Sequence, residues 1–204
     1  MLFEVRTYGL KPRSQPEVIK LFGEAYESRK NYSPLSAFFY TDIGPLNQII
    51  HIWPYEDLTA RTKIRAEASK DPNWPPHIGE HLDSQLSEIF APFPFTPDFD
   101  KSKTGPVFEW RSYTIKPHSV GDIIKSWGDA IGERQKLSPL LMAMHTELGP
   151  LNKFVHIWSY ENLEHRREVR AEAAAKKIWP PGGGNYLVAQ ENKIVHPTAF
   201  SPQQ

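Results

Sequence analysis

His51, Trp53 and Tyr55 stand at two-residue intervals in GPLNQIIHIWPYEDL, residues 44 to 58, and His156, Trp158 and Tyr160 stand the same way in GPLNKFVHIWSYENL, residues 149 to 163. Imidazole ordinarily titrates near neutrality, so His51 and His156 are the candidate acid/base groups. A second period-two set lies near the start of the chain, where Glu4, Arg6 and Tyr8 are matched by Glu109, Arg111 and Tyr113. The planar fork of a guanidinium suits a carboxylate, which makes Arg6 and Arg111 candidate anion anchors. Tyr8, Tyr113, Trp53, Trp158, Tyr55 and Tyr160 complete the candidate ligand-binding set. A plain structural reading stands beside this one: Glu4 pairs with Arg6, His51 and Tyr55 satisfy a polar interface, and Trp53 and Trp158 fill a core.

Period two places each set on one face of a strand. The aliphatic alternates Ile50 and Ile52 are expected to face helices, and His51, Trp53 and Tyr55 to face an interior shared by the two copies. Those copies are related by one offset, because 149 − 44 = 105 also carries Glu4 onto Glu109, Trp74 onto Trp179 and PFPFTP at 92 to 97 onto PTAFSP at 197 to 202. Between residues 44 and 68, 15 of 25 positions are identical to their counterparts, which marks a duplicated domain. Residues 1–97 form the first unit and 106–202 the second, with DFDKSKTG at 98–105, polar and turn-rich, as linker.

Each unit reads βαββαβ. FEVRTYGL alternates as a strand, and Val18, Phe22, Ala25 and Tyr26 make the stripe of an amphipathic helix that Pro34 closes. LSAFFYTD and NQIIHIWPY form a hairpin around Gly-Pro, a second helix runs from Asp57 to about Lys70, and SQLSEIFAP and VAQENKIVHP are last, weaker strands. Such a unit makes a four-stranded sheet with both helices on one face. The predicted class is α+β, two ferredoxin-like units in tandem forming an intrachain dimeric α/β-barrel, with room for further pairing of whole chains. Between the copies, HIGEHLDSQ can hold helical structure, whereas Gly182, Gly183 and Gly184 oppose it in GGGNYLVAQ.

Composition removes several classes. The 24 basic and 24 acidic side chains cancel, so nucleic acid and anionic membrane are not expected partners, and the absence of cysteine excludes thiol catalysis and disulfides. With no long apolar run and a strand at the start, the expected location is cytoplasmic. His77 and His81 have helical metal-ligand spacing but no third ligand, so no metal site and no cofactor are expected. Arg61, Arg65, Arg166 and Arg170 read as solvent-facing helix arginines.

The segments EVRTYGLKP, GPLNQIIHIWPYEDL, RAEA and DPNW resemble the NIPSNAP domain, and the likeness covers both copies. The resemblance implies the dimeric α/β-barrel fold, whose members include cofactor-free monooxygenases, isomerases and haem-dependent enzymes, and it carries no settled activity. The resulting expectation is a protein that binds a small carboxylate-bearing or aromatic ligand in a barrel cavity, with His-assisted proton transfer or cofactor-free oxidation as the chemistry. A non-catalytic scaffold with a filled barrel, and haem ligation by His51 or His156, stand as alternatives.

Overall fold

The computed structural model describes residues 1–98, 105–182 and 184–203, and in it the period-two segments are strands and the amphipathic ones helices. The first repeat runs β1 (Leu2–Leu10), α1 (Gln15–Arg29), β2 (Ala37–Ile43), β3 (Gln48–Tyr55), α2 (Leu58–Ala68) and β4 (Leu82–Pro92). The second runs β5 (Val107–Ile115), α3 (Val120–Gln135), β6 (Leu140–Leu148), β7 (Lys153–Tyr160), α4 (Leu163–Ala175) and β8 (Leu187–Pro197). The order βαββαβ occurs twice, as the repeat predicts. Residues 99–104 of the expected linker, and Gly183, lie outside the described residues.

Local chemistry accounts for most boundaries. Asp57 caps α2 by accepting from the Ala60 amide at 2.8 Å, and Asn162 caps α4 by accepting from that of His165 at 2.8 Å. The β2–β3 turn holds Gly44 at φ 114° and Asn47 at φ 55°, and Gly149 and Asn152 repeat this at 133° and 56°, so the GPLN sequence is explained by residues that tolerate left-handed backbone. Three expectations need correction. Helix α1 ends at Arg29, ahead of Pro34, where the backbone passes into tighter turns, the Asn31 amide donating to the Ser28 carbonyl at 3.2 Å and the Tyr32 amide to that of Arg29 at 3.1 Å. The last strands are not weak: β4 and β8 are the longest, with 11 residues each. The glycine-rich second copy also keeps a short 3₁₀ turn, Gly184–Tyr186, matching Gly79–His81, since one turn needs little helix propensity.

The first repeat's sheet has the antiparallel order β4-β1-β3-β2, and the second's has β8-β5-β7-β6. In the first, Arg6 lies opposite His51 and Glu4 opposite Trp53, so the two period-two sets share one face. That face is the helix side, which reverses the expected assignment: His51 and Trp53 pack with Phe22 and Tyr26 of α1, while Val5, Ile50 and Ile52 lie on the opposite face. Both faces of β3 are buried, with Ile50 and Ile52 fully so and His51 1% exposed, so hydrophobicity alone does not decide which alternates meet the helices.

The two compact units are not the repeats end to end. One comprises Met1–Phe90 with the chain from His196 on, the other Ala91–Val195. In the first unit the tail amide of Thr198 donates to the Phe38 carbonyl at 3.0 Å and Phe200 packs 4.8 Å from the Phe38 ring. Gly23 of α1 lets the ring approach closely, since a Cβ on it would meet the Phe200 ring at 3.0 Å, a tight contact. In the second unit the Phe93 amide donates to the Ala143 carbonyl at 2.8 Å, and its ring stacks on Phe154 at 5.1 Å. No helix among the described residues is long and apolar enough to cross a membrane.

Candidate functional site

In the first unit β1, β3 and β4 present polar groups to α1 and α2. Glu4 is fully buried, and its Oε1 accepts from Arg6 at 2.9 Å, Arg61 at 2.6 Å and Ser87 Oγ at 2.7 Å, while Arg65 stands 3.6 Å from Oε2. Burial alone would raise this carboxyl, but the Arg61 hydrogen bond, the Arg65 charge, Ser87 and Arg6 together hold it at about 2. The structure thereby corrects the reading of Arg61 and Arg65 as plain solvent-facing helix residues: the inner flank of α2 lets both reach the sheet. Arg6 also donates through Nε to the Tyr8 hydroxyl at 2.7 Å.

His51 is 1% exposed, stacks on Phe38 at 5.1 Å, and accepts the Trp53 indole N–H at Nδ1, 2.6 Å away. An acceptor at Nδ1 leaves the proton of a neutral imidazole on Nε2, which is buried with no hydrogen-bond partner. Burial, joined by the Arg6 charge, pushes its pKa well below the ordinary value, so His51 is a neutral Nε2–H donor. An Nε2 that carries a proton has no lone pair for iron, so His51 in this tautomer does not fit the haem-ligand alternative.

Arg29 carries the most informative charge. It is 2% exposed, donates to Ser33 Oγ at 2.8 Å and Tyr55 Oη at 3.2 Å, and lies 4.3 Å over the Trp53 ring and 5.7 Å from that of Trp74. None of these partners is an anion, and burial raises the Tyr55 pKa, keeping its hydroxyl neutral. Arg6, Arg29, His51, Trp53, Arg65 and Trp74 contribute to the wall of a cavity of about 290 Å³ between this sheet and its helices. Among the described residues, no Asp or Glu lines it. Arg6, His51, Trp53 and Tyr55, expected to face an interior shared by the copies, thus line a cavity inside the first unit, because the polar face of β3 is its helix face.

The second unit repeats the polar framework. Arg111 and Arg166 reach Glu109 Oε1 at 2.8 and 2.5 Å, Arg170 is 3.7 Å from Oε2, and Arg111 Nε donates to Tyr113 at 2.7 Å. Trp158 donates to His156 Nδ1 at 2.7 Å, His156 Nε2 has no partner, and Arg134 donates to Ser138 at 2.9 Å and Tyr160 at 3.1 Å. Sequence reasoning placed the named site residues on common faces but missed Arg29 and Arg134. The signal was present: in helices that differ at most positions, both copies keep Arg at the same place. His77 and His81 join no cluster able to hold a metal among the described residues.

The family model NIPSNAP matches this chain twice, over residues 3–97 and 108–202. Among similar proteins, Protein NipSnap homolog 3A of Homo sapiens is 29% identical, with 99% of this chain and 85% of that protein aligned. A NipSnap homolog of Dictyostelium discoideum is also 29% identical, over 87% of this chain and 78% of its own length. A solved monooxygenase-like protein from Lactobacillus acidophilus NCFM aligns over 97% of this chain and 94% of its own with a TM-score of 0.64 at 11% identity. An anthrone oxidase-like protein aligns over 100% and 94% with a TM-score of 0.62 at 8% identity. At such identities the two structures show a common fold and nothing of activity.

Proposed function

Since the chain belongs to the NIPSNAP family, as two domains in tandem on the dimeric α/β-barrel fold, we propose that its first unit binds a small organic acid, a carboxylate on an aromatic or comparably flat body. The observation that carries this reading is the charge of the cavity wall: Arg6, Arg29 and Arg65 contribute, and no carboxylate does. Glu4, just beyond the wall, cancels one of these charges, and its Oε1 is occupied by hydrogen bonds from Arg6, Arg61 and Ser87. A buried cation without a counter-ion is costly, and a bound carboxylate relieves that cost. Phe22, Trp53 and Trp74 supply flat apolar surface for the body of the ligand. At about 290 Å³ the space suits a compound of about one ring, since pockets for drug-sized ligands begin at roughly 300 Å³.

In this reading His51 binds rather than shuttles protons. Its Nε2–H donates to a ligand oxygen, and its Nδ1 is held by Trp53. Two tryptophans in the wall make intrinsic fluorescence a direct reporter. Titration with benzoate is expected to saturate, with neutral benzamide at least about tenfold weaker, and Arg65→Ala is expected to weaken benzoate by a similar factor, the scale of one charge-assisted hydrogen bond. Equal response to acid and amide, or to neither, would overturn the proposal.

A further inference from the structure

Anion binding in the first unit leaves a charge count that one carboxylate does not close. Arg6, Arg29 and Arg65 lie in the cavity wall, and Arg61 joins them through Glu4. Among the described residues Glu4 is the only carboxylate in ion-pair contact with any of the four: Arg61 reaches it at 2.6 Å, Arg6 at 2.9 Å and Arg65 at 3.6 Å. Four positive charges thus face one negative charge. Water screens the outer arginines in part, since the Arg65 side chain is 40% exposed, but Arg29 is 2% exposed and donates only to neutral oxygens. Burial lowers the Arg29 pKa and the Arg65 charge pushes it the same way, although the guanidinium stays charged.

The excess charge is divided between two places. Arg29 stands 4.3 Å over Trp53 and donates to Tyr55 at 3.2 Å, at the end of β3. Arg6 lies opposite His51, two residues before Trp53, a step of about 7 Å along a strand. Arg65 groups with Arg6, since both reach Glu4. Phe22 lies 5.4 Å from His51 and 5.9 Å from Trp74, a ring that also stands 5.7 Å from Arg29, so flat apolar surface runs from one place to the other. We propose that the ligand of this site is an aromatic dicarboxylate, with one carboxylate at Arg29, the second at Arg6 and Arg65, and the ring against Phe22. This rests on the anion-binding reading and narrows it, because a monocarboxylate supplies a counter-ion at one place and leaves the other without one. Donors remain for both carboxylates: Arg29 spends its hydrogen bonds on Ser33 and Tyr55, and Arg6 on Tyr8 and Glu4, fewer than a guanidinium can make. A phosphate monoester would gather its charge at one place, where the wall divides it between two.

Titration of the full chain with isophthalate and with its monomethyl ester tests this, because the ester keeps the shape and loses one charge. Binding is followed by nuclear magnetic resonance on the His51 ring, which lies in this wall and so reports on this site. Isophthalate is expected to bind at least about tenfold tighter than the ester, the scale of one further charge-assisted pairing. Arg29→Met should bring the two compounds to about equal affinity, and Arg6→Met carries the same expectation from the other place should Arg29→Met fail to fold. Equal affinities in the wild type, or a preference for the diacid that survives in both variants, would overturn the proposal and leave the anion-binding reading standing, since the ester is itself a bound carboxylate. Binding of neither compound would overturn both.

Discussion

The two units keep the same charges in the same places and fill the space around them differently. Arg61 meets Glu4 at 2.6 Å and Arg166 meets Glu109 at 2.5 Å, yet Phe22 is answered by Trp127, Ile49 by Phe154 and Phe38 by Ala143. A buried ion network tolerates no partial change, because removing one partner strands another charge away from water. Apolar positions can exchange volume as long as the sum is kept. The tails carry such an exchange in sequence: the Phe93 amide bonds the Ala143 carbonyl, and at the equivalent place the Thr198 amide bonds that of Phe38, so large is paired with small in both units with the sizes reversed.

The largest expected effect tests the equivalence of the networks. Glu4→Ala and Glu109→Ala should each destabilise their unit by about 3 to 5 kcal/mol, because three arginines lose their carboxylate. Urea titration of both variants checks this, and strongly unequal losses would break the comparison. The same carboxylate gives a pH dependence. Glu4 is held at about 2 when folded against an ordinary 4.5, so its contribution is fully present above pH 4.5 and lost as pH falls through 2. Wild-type stability should therefore drop across that window, and Glu4→Ala should flatten part of the fall.

A smaller effect sharpens the contrast in packing. Ala143→Phe places a second phenylalanine where Phe93 already stands, and overpacking of this kind costs about 1 to 3 kcal/mol. Adding Phe93→Thr recreates the first unit's pairing of Phe38 with Thr198 and should recover most of the loss. Thermal melts of the single and double variants decide it; a loss that is merely additive would mean that the tail does not answer the residue beneath it. The smallest effect lies on the surface, where Glu164 and Arg167 of α4 form an exposed ion pair and the first unit has Thr59 and Thr62. Glu164→Thr should leave the melting temperature unchanged within error, since such pairs contribute little in water.

Much of this architecture was legible in the residues. The offset of 105 and the alternation in EVRTY and IIHIWPY define two βαββαβ units and put Glu4, Arg6 and Tyr8 on one side of a strand, and His51, Trp53 and Tyr55 on one side of another. Those facts are local, set by a strand period of two and by the chemistry of turns and caps. The sign of the face was not local. Both sides of β3 are buried, so apolar and polar-aromatic alternates fit either side until the helices are placed, and only the packing of Phe22 against His51 shows which face they cover. Arg29 was hidden for a related reason: at the end of a helix it reads as an exposed cation, and its burial beside Trp53 follows from a chain exit that brings Ser33 and Tyr55 within hydrogen-bonding reach. The sequence by itself thus determined the elements, their repetition and the common strand face of each candidate set. Tertiary structure alone decided where those charges point and how much space is left between them, because orientation and volume are properties of packed elements and not of any one segment.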